Sequence, residues 1–349
     1  MKCTIQNIAD HLGLSRNTVS KALKNSSEVS ENTRNLVIKT ASKLGYKNAT
    51  FATPVIPASE TGSNGTILFL TSTYASDSEF WTTVLRGIES ILSNANYHLA
   101  ISIMSDSDLK QLNFPQTISD SSIKGIILVE ICDKVVCDAL SQFNLPIVSV
   151  DMPNVPFEEL NGIDVVTMES KKNLKKIINQ LIEKGAESFG FVGDLYSPNV
   201  SRGFQERYNA LSECLAEHQL PLNQKNCLLH QTPEDFRNFQ TTVNNLQAMI
   251  SLPDVFICGN DWTAIQLIYA LQFLGFQIPK DICVVGFDNI PAASRISPSL
   301  TTISTPQKYL GIAAARQILE RIQHPNCPHV FCQYETELII RNSTNIISF

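Results

Sequence analysis

From Gly65 onward the chain repeats one pattern, a short apolar run rich in β-branched residues followed by a stretch of helical periodicity. TILFLTS leads to an amphipathic segment from Phe80 to Leu92, then to HLAISIM, a further helical segment, KGIILVE and LPIVSVD. A second series runs through GIDVVTM, a Lys-rich helix over 171–184, SFGFVGD, a helix over 203–218, CLLH, DVFICGND, a helix over 262–274 and ICVVGFD. Nearly all-apolar strands must be covered on both faces, so the alternation predicts parallel sheets with helices on each side. Two series predict an α/β body of two doubly wound lobes. Its default ligand site is the cleft at the carboxyl ends of the strands.

The first 50 residues obey a different pattern. Thr4 precedes the apolar-periodic Ile5, Ile8, Ala9 and Leu12, and Gly13 stops the run, which predicts a short capped helix. Ser15 caps a second helix with Val19, Ala22 and Leu23 on one face. Ser30 caps a third from Glu31, with Leu36, Val37, Ala41 and Leu44 inward and Gly45 ending it. Three short helices, the first two joined by a Gly-containing turn, make a helix-turn-helix unit. Its second helix leaves Arg16, Asn17 and Lys21 together on the exposed N-terminal side, and Arg and Asn carry the paired hydrogen-bond geometry that reads guanine and adenine edges. Charge agrees: residues 1–50 hold eight basic side chains against three acidic ones, net +5, in a chain of formal net charge −6. A small basic head on an acidic body suits a head that alone meets a polyanion.

The stretch TIQNIADHLGLSRNTVSKALKNSSEVSENTRNLVIKTASKLGY resembles the DNA-binding head of the lactose/galactose repressor (LacI/GalR) family. The resemblance implies that Arg16, Asn17 and Lys21 read bases of double-stranded operator DNA, with Thr18 and the neighbouring Thr4 and Ser15 on phosphates. VLRGIESILSNANYHLAI, IKGIIL, LPIVSVD, RYNALSECLAEHQLPLN, LPDVFICGND, LGFQIPKDICVVGFDNI and SPSLTTISTPQKYLGIAAARQIL, in this order, are similar to the family's periplasmic-binding-protein-like effector domain. The implied organisation is a helix-turn-helix domain over 1–47, a linker over 48–64 and an effector-binding and dimerisation domain over 65–349. Lobe 1 is expected over about 65–161 and 292–323, and lobe 2 over about 162–291 and 324–349. The implied function is transcriptional regulation, as a repressor, by a homodimer whose hold on a pseudo-palindromic operator answers to a small effector, expected to be a carbohydrate.

Strand tips supply the candidate site. Asn260 and Asp261 follow DVFIC, Asp288 follows ICVVGF and Asp151 follows PIVSV. Carboxylates and amides placed there suit vicinal hydroxyls; the alternatives are that Asp261 caps the following helix and Asp288 fixes a turn. By the resemblance, Arg207 matches an arginine that reaches the effector, and Phe80 and Trp81 match an aromatic pair lining the pocket, where a flat ring stacks on a sugar or base.

Two departures stand out. In the linker, Thr53 stands where the family has Arg and Val55 where it has a wedge Leu. Pro54 lies between them, and an interior proline costs a helix about 3 kcal/mol, so an irregular tether is expected. VVTMESK, with Glu169, replaces a Val-x-x-Asp-Asn pattern, so the effector's identity does not carry over. No phosphate loop, nucleophile elbow or His-Glu-x-x-His motif is present, so neither catalysis nor a cofactor is expected. The six histidines are dispersed, and the nine scattered cysteines suit a reducing compartment. No apolar run of about 18 residues predicts a membrane span, and the interrupted N-terminal segment predicts a cytoplasmic protein. A regulator controlled by a protein co-regulator or without effector remains open, as does a solute-binding protein.

Overall fold

The computed structural model describes residues 4–23, 29–30, 33–34, 36–37, 40–41, 63–72, 78–195, 201–230 and 238–345. The chain divides into two compact units, Met1–Gly62 and Ser63–Phe349. The linker residues Ala52 to Val55 lie outside the described residues.

In the first unit, helix α1 spans Ile5–Leu12 and α2 spans Arg16–Leu23. Thr4 and Asn7 form a reciprocal capping box, and Gly13 ends α1 in the left-handed region at φ 64. The Ser15 hydroxyl takes the Thr18 N–H at 3.1 Å and starts α2. Residues 33–34, 36–37 and 40–41 are helical as well, and Ser30 accepts the Thr33 N–H at 3.4 Å. The expected helix start at Glu31 and stop at Gly45 lie outside the described residues. Ile8, Ala9, Val19, Ala22, Val29, Val37 and Ala41 form one small core. Leu36, expected inward, is 50% exposed, because its neighbour Val37 takes the core position.

The second unit holds two sheets of six strands among the described residues. The first contains β1 Thr66–Ser72, β2 His98–Met104, β3 Ile123–Val129, β4 Ile147–Val150, β5 Ile163–Met168 and β11 Phe331–Tyr334, in the order β11-β5-β4-β3-β1-β2. The second contains β6 Phe189–Asp194, β7 Leu228–His230, β8 Val255–Cys258, β9 Cys283–Asp288, β10 Thr301–Ser304 and β12 Glu337–Ile339, in the order β12-β10-β9-β8-β6-β7. Every pair is parallel except β10 with β12. The intervening helices are α3 Glu79–Asn94, α4 Asp106–Gln111, α5 Lys134–Ser141, α6 Lys172–Glu183, α7 Arg202–Glu217, α8 Phe239–Ala248, α9 Asp261–Phe273 and α10 Gln307–Gln323.

The expected lobe boundaries need three corrections. β5 belongs to the first sheet, because the short 151–162 connection returns it beside β4. β10 belongs to the second, paired to β9 and tied through Thr302 to Asp261. β11 returns to the first sheet. Buried Asp164 on β5 accepts two guanidinium bonds from Arg321 of α10 at 2.8 and 3.0 Å, and the Val330 N–H at 2.8 Å. α10 itself stays with the first lobe by close approach to α3: a Cβ on Gly87 would fall on the Lys308 carbonyl, and one on Gly311 on the Val84 carbonyl. The chain therefore passes between lobes at 168–172, 304–307 and 334–337.

Candidate functional site

In the head, the cores of α1 and α2 use Ile8, Ala9, Val19 and Ala22, which turns the polar residues of α2 outward. Arg16 and Asn17 are exposed, while Thr18 and Lys21 are half-buried. The hydroxyls of Ser15 and Thr18 lie 2.8 Å apart at the α2 N-terminus, and that of Thr4 is engaged with Asn7 at 2.6 Å. A helix N-terminus with guanidinium and amide groups beside it favours phosphate and base edges.

In the body, the carboxyl ends of the two sheets face each other, and the first lobe's 151–153 segment touches the start of α7. The Arg202 N–H donates to the Met152 carbonyl at 3.0 Å, and Pro153 and Ser201 form an antiparallel bridge. On α7, Arg207 is 3% exposed and donates from Nη1 to the Gly259 carbonyl at 2.7 Å. Its guanidinium carbon sits 3.6 Å from the centroid of the Phe287 ring and 5.2 Å from that of Phe204. Burial pushes the Arg207 pKa down, against the pull of Asp288, Asp151 and Glu206. Asp151 is 7% exposed and held at φ 70; its Oδ1 accepts the Met152 N–H at 2.8 Å, and burial pushes its carboxyl up. Burial also pushes Asp288 well above the usual carboxylate range, with Arg207 opposing and Asp261, Asp151 and Glu130 adding to the rise.

Arg207, Asp151 and Asp288 thus lie near one another, and Asp261 bears on both Arg207 and Asp288. It is fully buried within the second lobe, where Oδ2 accepts the Ile290 N–H at 2.9 Å and Oδ1 the Thr302 hydroxyl at 2.5 Å. As the first residue of α9 its side chain turns back under β9 and β10, where its carboxyl serves as an acceptor within the lobe. Asn260 caps α9 through the Thr263 N–H at 2.9 Å, the task weighed above for Asp261. Phe80 is 5% exposed in the core and meets half-buried Trp81 edge-on at 4.5 Å, at the start of α3 beyond the β1 tip. Glu169 offers Oε1 to the N–H groups of Lys171 and Lys172 at 2.7 and 2.8 Å, so it caps α6.

Further side chains carry no charge and gave no sequence signal. The hydroxyls of Thr71, Ser170 and Thr263 are buried without a protein hydrogen-bond partner, as are Oε2 of Glu169 and Nε of Arg207. All stand at or just beyond strand tips or on the helices that follow them. Of these, Ser170 Oγ lies beside Arg207 and Asp151 around Gly203. Buried polar atoms are nearly always satisfied, so an orphan beside that cluster marks a place for a ligand's polar group.

Residues 4–48 match the family model for bacterial regulatory proteins of the lacI family, and 178–344 match that for a periplasmic binding protein-like domain. The chain is 26% identical over 345 residues to the HTH-type transcriptional repressor PurR of Photobacterium profundum, covering 97% of this chain and 98% of that one. It is 27% identical over 344 residues to the ribose operon repressor of Haemophilus influenzae, with the same coverage. Among solved structures, a lac repressor dimer bound to operator and anti-inducer superposes with TM-score 0.67 at 20% identity, over 99% of each chain. The transcriptional regulator CelR in complex with cellobiose gives 0.69 at 19%, over 98% of this chain and 100% of that one.

Proposed function

Because this chain belongs to the lacI family of bacterial regulatory proteins, we propose that it is a sequence-specific transcriptional repressor whose grip on operator DNA is set by a small effector between its lobes. The observation that carries the effector half is the placement of Arg207 beside Asp151 and the unpartnered buried hydroxyl of Ser170, with Asp288 bearing on the guanidinium. Vicinal hydroxyls of a sugar match such a set, and relatives named for ribose and cellobiose support that class. Arg16, Asn17 and Lys21 are the proposed base readers, with Thr18, Thr4 and Ser15 beside phosphates. Trp81 and Asn260 are proposed as flanking contacts of the effector.

A homodimer supplies two heads for two half-sites of a pseudo-palindrome. Exposed Ile101 and Ile103 on edge strand β2, and Tyr269 and Phe273 on α9, offer apolar surface for that association. The effector shifts the balance between lobe arrangements by binding one of them better, and changes DNA affinity only by that difference. The test is selection of bound DNA from a random duplex pool at near-physiological salt. A recovered pseudo-palindrome whose binding changes with a sugar supports the proposal; salt-sensitive binding without enrichment refutes it.

A further inference from the structure

Asp288 and Asp151 lead the charged groups around buried Arg207, yet among the described residues neither bonds it. Its one hydrogen bond there runs from Nη1 to the Gly259 carbonyl at 2.7 Å, and Nε has no protein partner. With Nη1 taken, the Nε–Nη2 edge is what a ligand would meet, two N–H groups side by side. A single bond fixes one corner of a planar group and leaves its plane free to turn. What remains to hold that plane is a pair of rings. The guanidinium carbon stands 3.6 Å from the Phe287 centroid and 5.2 Å from that of Phe204.

Phe287 is fully buried on β9, where the core of the sheet alone accounts for it. Phe204 is only half-buried. It lies in the first turn of α7, three residues before Arg207 on the same helix face, and the Ser201 hydroxyl accepts its N–H at 3.2 Å. Under its ring run two backbones without side chains. A Cβ on Gly259 would fall on Phe204 Cε1 and 2.6 Å from Cδ1, and one on Gly193 of β6 would stand 3.3 Å from Cε1. Neither glycine has a positive φ, so the backbone does not call for glycine at either place; the ring does. The Gly259 N–H donates to the Val192 carbonyl at 2.7 Å, which pins to β6 the same residue whose carbonyl holds Arg207. Phe204 and Gly259 are therefore two halves of one fit, and both bear on the guanidinium.

Resting on the reading that Arg207 contacts the effector, we propose that Phe204 is a positioning residue. Seated on Gly259 and Gly193, its ring fixes the plane of the Arg207 guanidinium and so the direction in which the Nε–Nη2 edge meets a ligand. Phe204 does this without touching the ligand itself.

The test follows the Arg207 guanidinium by NMR in the full chain carrying isotope-labelled arginine, its signals identified by their loss in Arg207→Lys. A guanidinium barred from turning about its Nε–Cζ bond shows two Nη signals, and a freely turning one shows a single average. The parent should show two. Phe204→Leu and Phe204→Met, which keep apolar bulk but lose the ring, should merge them while the melting temperature falls by only a few degrees. Gly259→Ala should merge them and lower the melting temperature, because its methyl displaces the ring. Adding Phe204→Leu to Gly259→Ala should recover the melting temperature and leave the signals merged, which separates positioning from packing. One averaged signal in the parent, or two in either Phe204 variant or in the double variant, overturns the proposal. Calorimetric titration with D-ribose and cellobiose reads the consequence. Whichever sugar binds the parent should bind Phe204→Leu roughly tenfold or more weakly, and Arg207→Lys, which keeps the charge but not the fork, at least as weakly. Binding lost in Arg207→Lys but kept in Phe204→Leu overturns the proposal alone; binding kept in Arg207→Lys overturns the effector role of Arg207 on which it rests. If neither sugar binds the parent, the Nη signals still decide.

Discussion

Replacing Asp261 by asparagine tests what the buried carboxyl beneath β9 and β10 does. Burial lifts its pKa from 3.8 to about 7, against the opposing bonds from Thr302 and Ile290. The folded chain keeps the proton up to about pH 7, whereas the unfolded chain releases it near 3.8. Between those values the folded state binds the extra proton, so this group's stabilisation is full below the unfolded value and drains as pH rises through the folded one. The slope is about 1.4 kcal/mol per pH unit, and the whole loss is roughly 4 kcal/mol by pH 7. The asparagine side chain reproduces the protonated acid, with its amide donating to the Thr302 hydroxyl and its carbonyl accepting the Ile290 N–H. Asp261→Asn should therefore match the parent near pH 4 and exceed it by up to roughly 4 kcal/mol above pH 7. Urea unfolding from pH 4 to 8 measures the difference, and effector binding should stay unchanged. A variant less stable than the parent at pH 8, or a difference flat with pH, would refute the reasoning; lost effector binding would restore Asp261 to the site.

Arg16→Ala should cost about 1–3 kcal/mol on the selected operator and relax preference at one base position in competition binding, whereas a uniform loss on every sequence would make Arg16 a phosphate contact. Arg321→Met removes both guanidinium bonds from the buried carboxylate of Asp164 and leaves it Gln317, His329 and the Val330 N–H, and urea unfolding should lose about 3 kcal/mol. Ile8→Ala empties a fully buried position in the head. It should destabilise that unit by about 2–5 kcal/mol and abolish DNA binding while the body's unfolding stays in place.

The strands from Thr66 to Asp288 were legible because strands covered on both faces are written as continuous apolar runs, whereas the helices Lys134–Ser141 and Phe239–Ala248 were not read. The lobe that each late strand joins was not. TTIS, FCQY and ELI are short and half polar, and their places are set by contacts far along the chain: Asp164 with Arg321, Asp261 with Thr302, Thr301 with Ser343. At the proposed site, the strand-tip rule pointed to Asp151 and Asp288 and the family resemblance to Arg207, which the structure places near one another. The same rule could not foresee that Asp261 turns under β9 and β10, because the residue after a strand tip is also the first of a helix, and which way that turn faces is a tertiary matter. The unpartnered hydroxyls of Thr71 and Ser170 left no trace, since what a small polar side chain faces depends on what surrounds it.

Asp288 ties the proposed effector site to a passage between lobes within one residue. Its carboxyl lies toward Arg207, while its carbonyl accepts the Gln307 amide at 2.7 Å and the Thr305 hydroxyl at 3.2 Å, both in the 304–307 passage between lobes. Glu169 does the like at 168–172, where its backbone N–H donates to the Tyr334 carbonyl at 2.8 Å beside the third passage. A ligand bonded to Asp288 therefore acts on backbone already tied to the chain crossings, and needs no relay of side chains to reach them. The energy it can exert there is bounded by its preference for one lobe arrangement over the other. On the proposed reading, a ligand that engages Asp151 of the first lobe and Arg207 of the second makes that preference large, because it finds both partners only in the arrangement that brings them together.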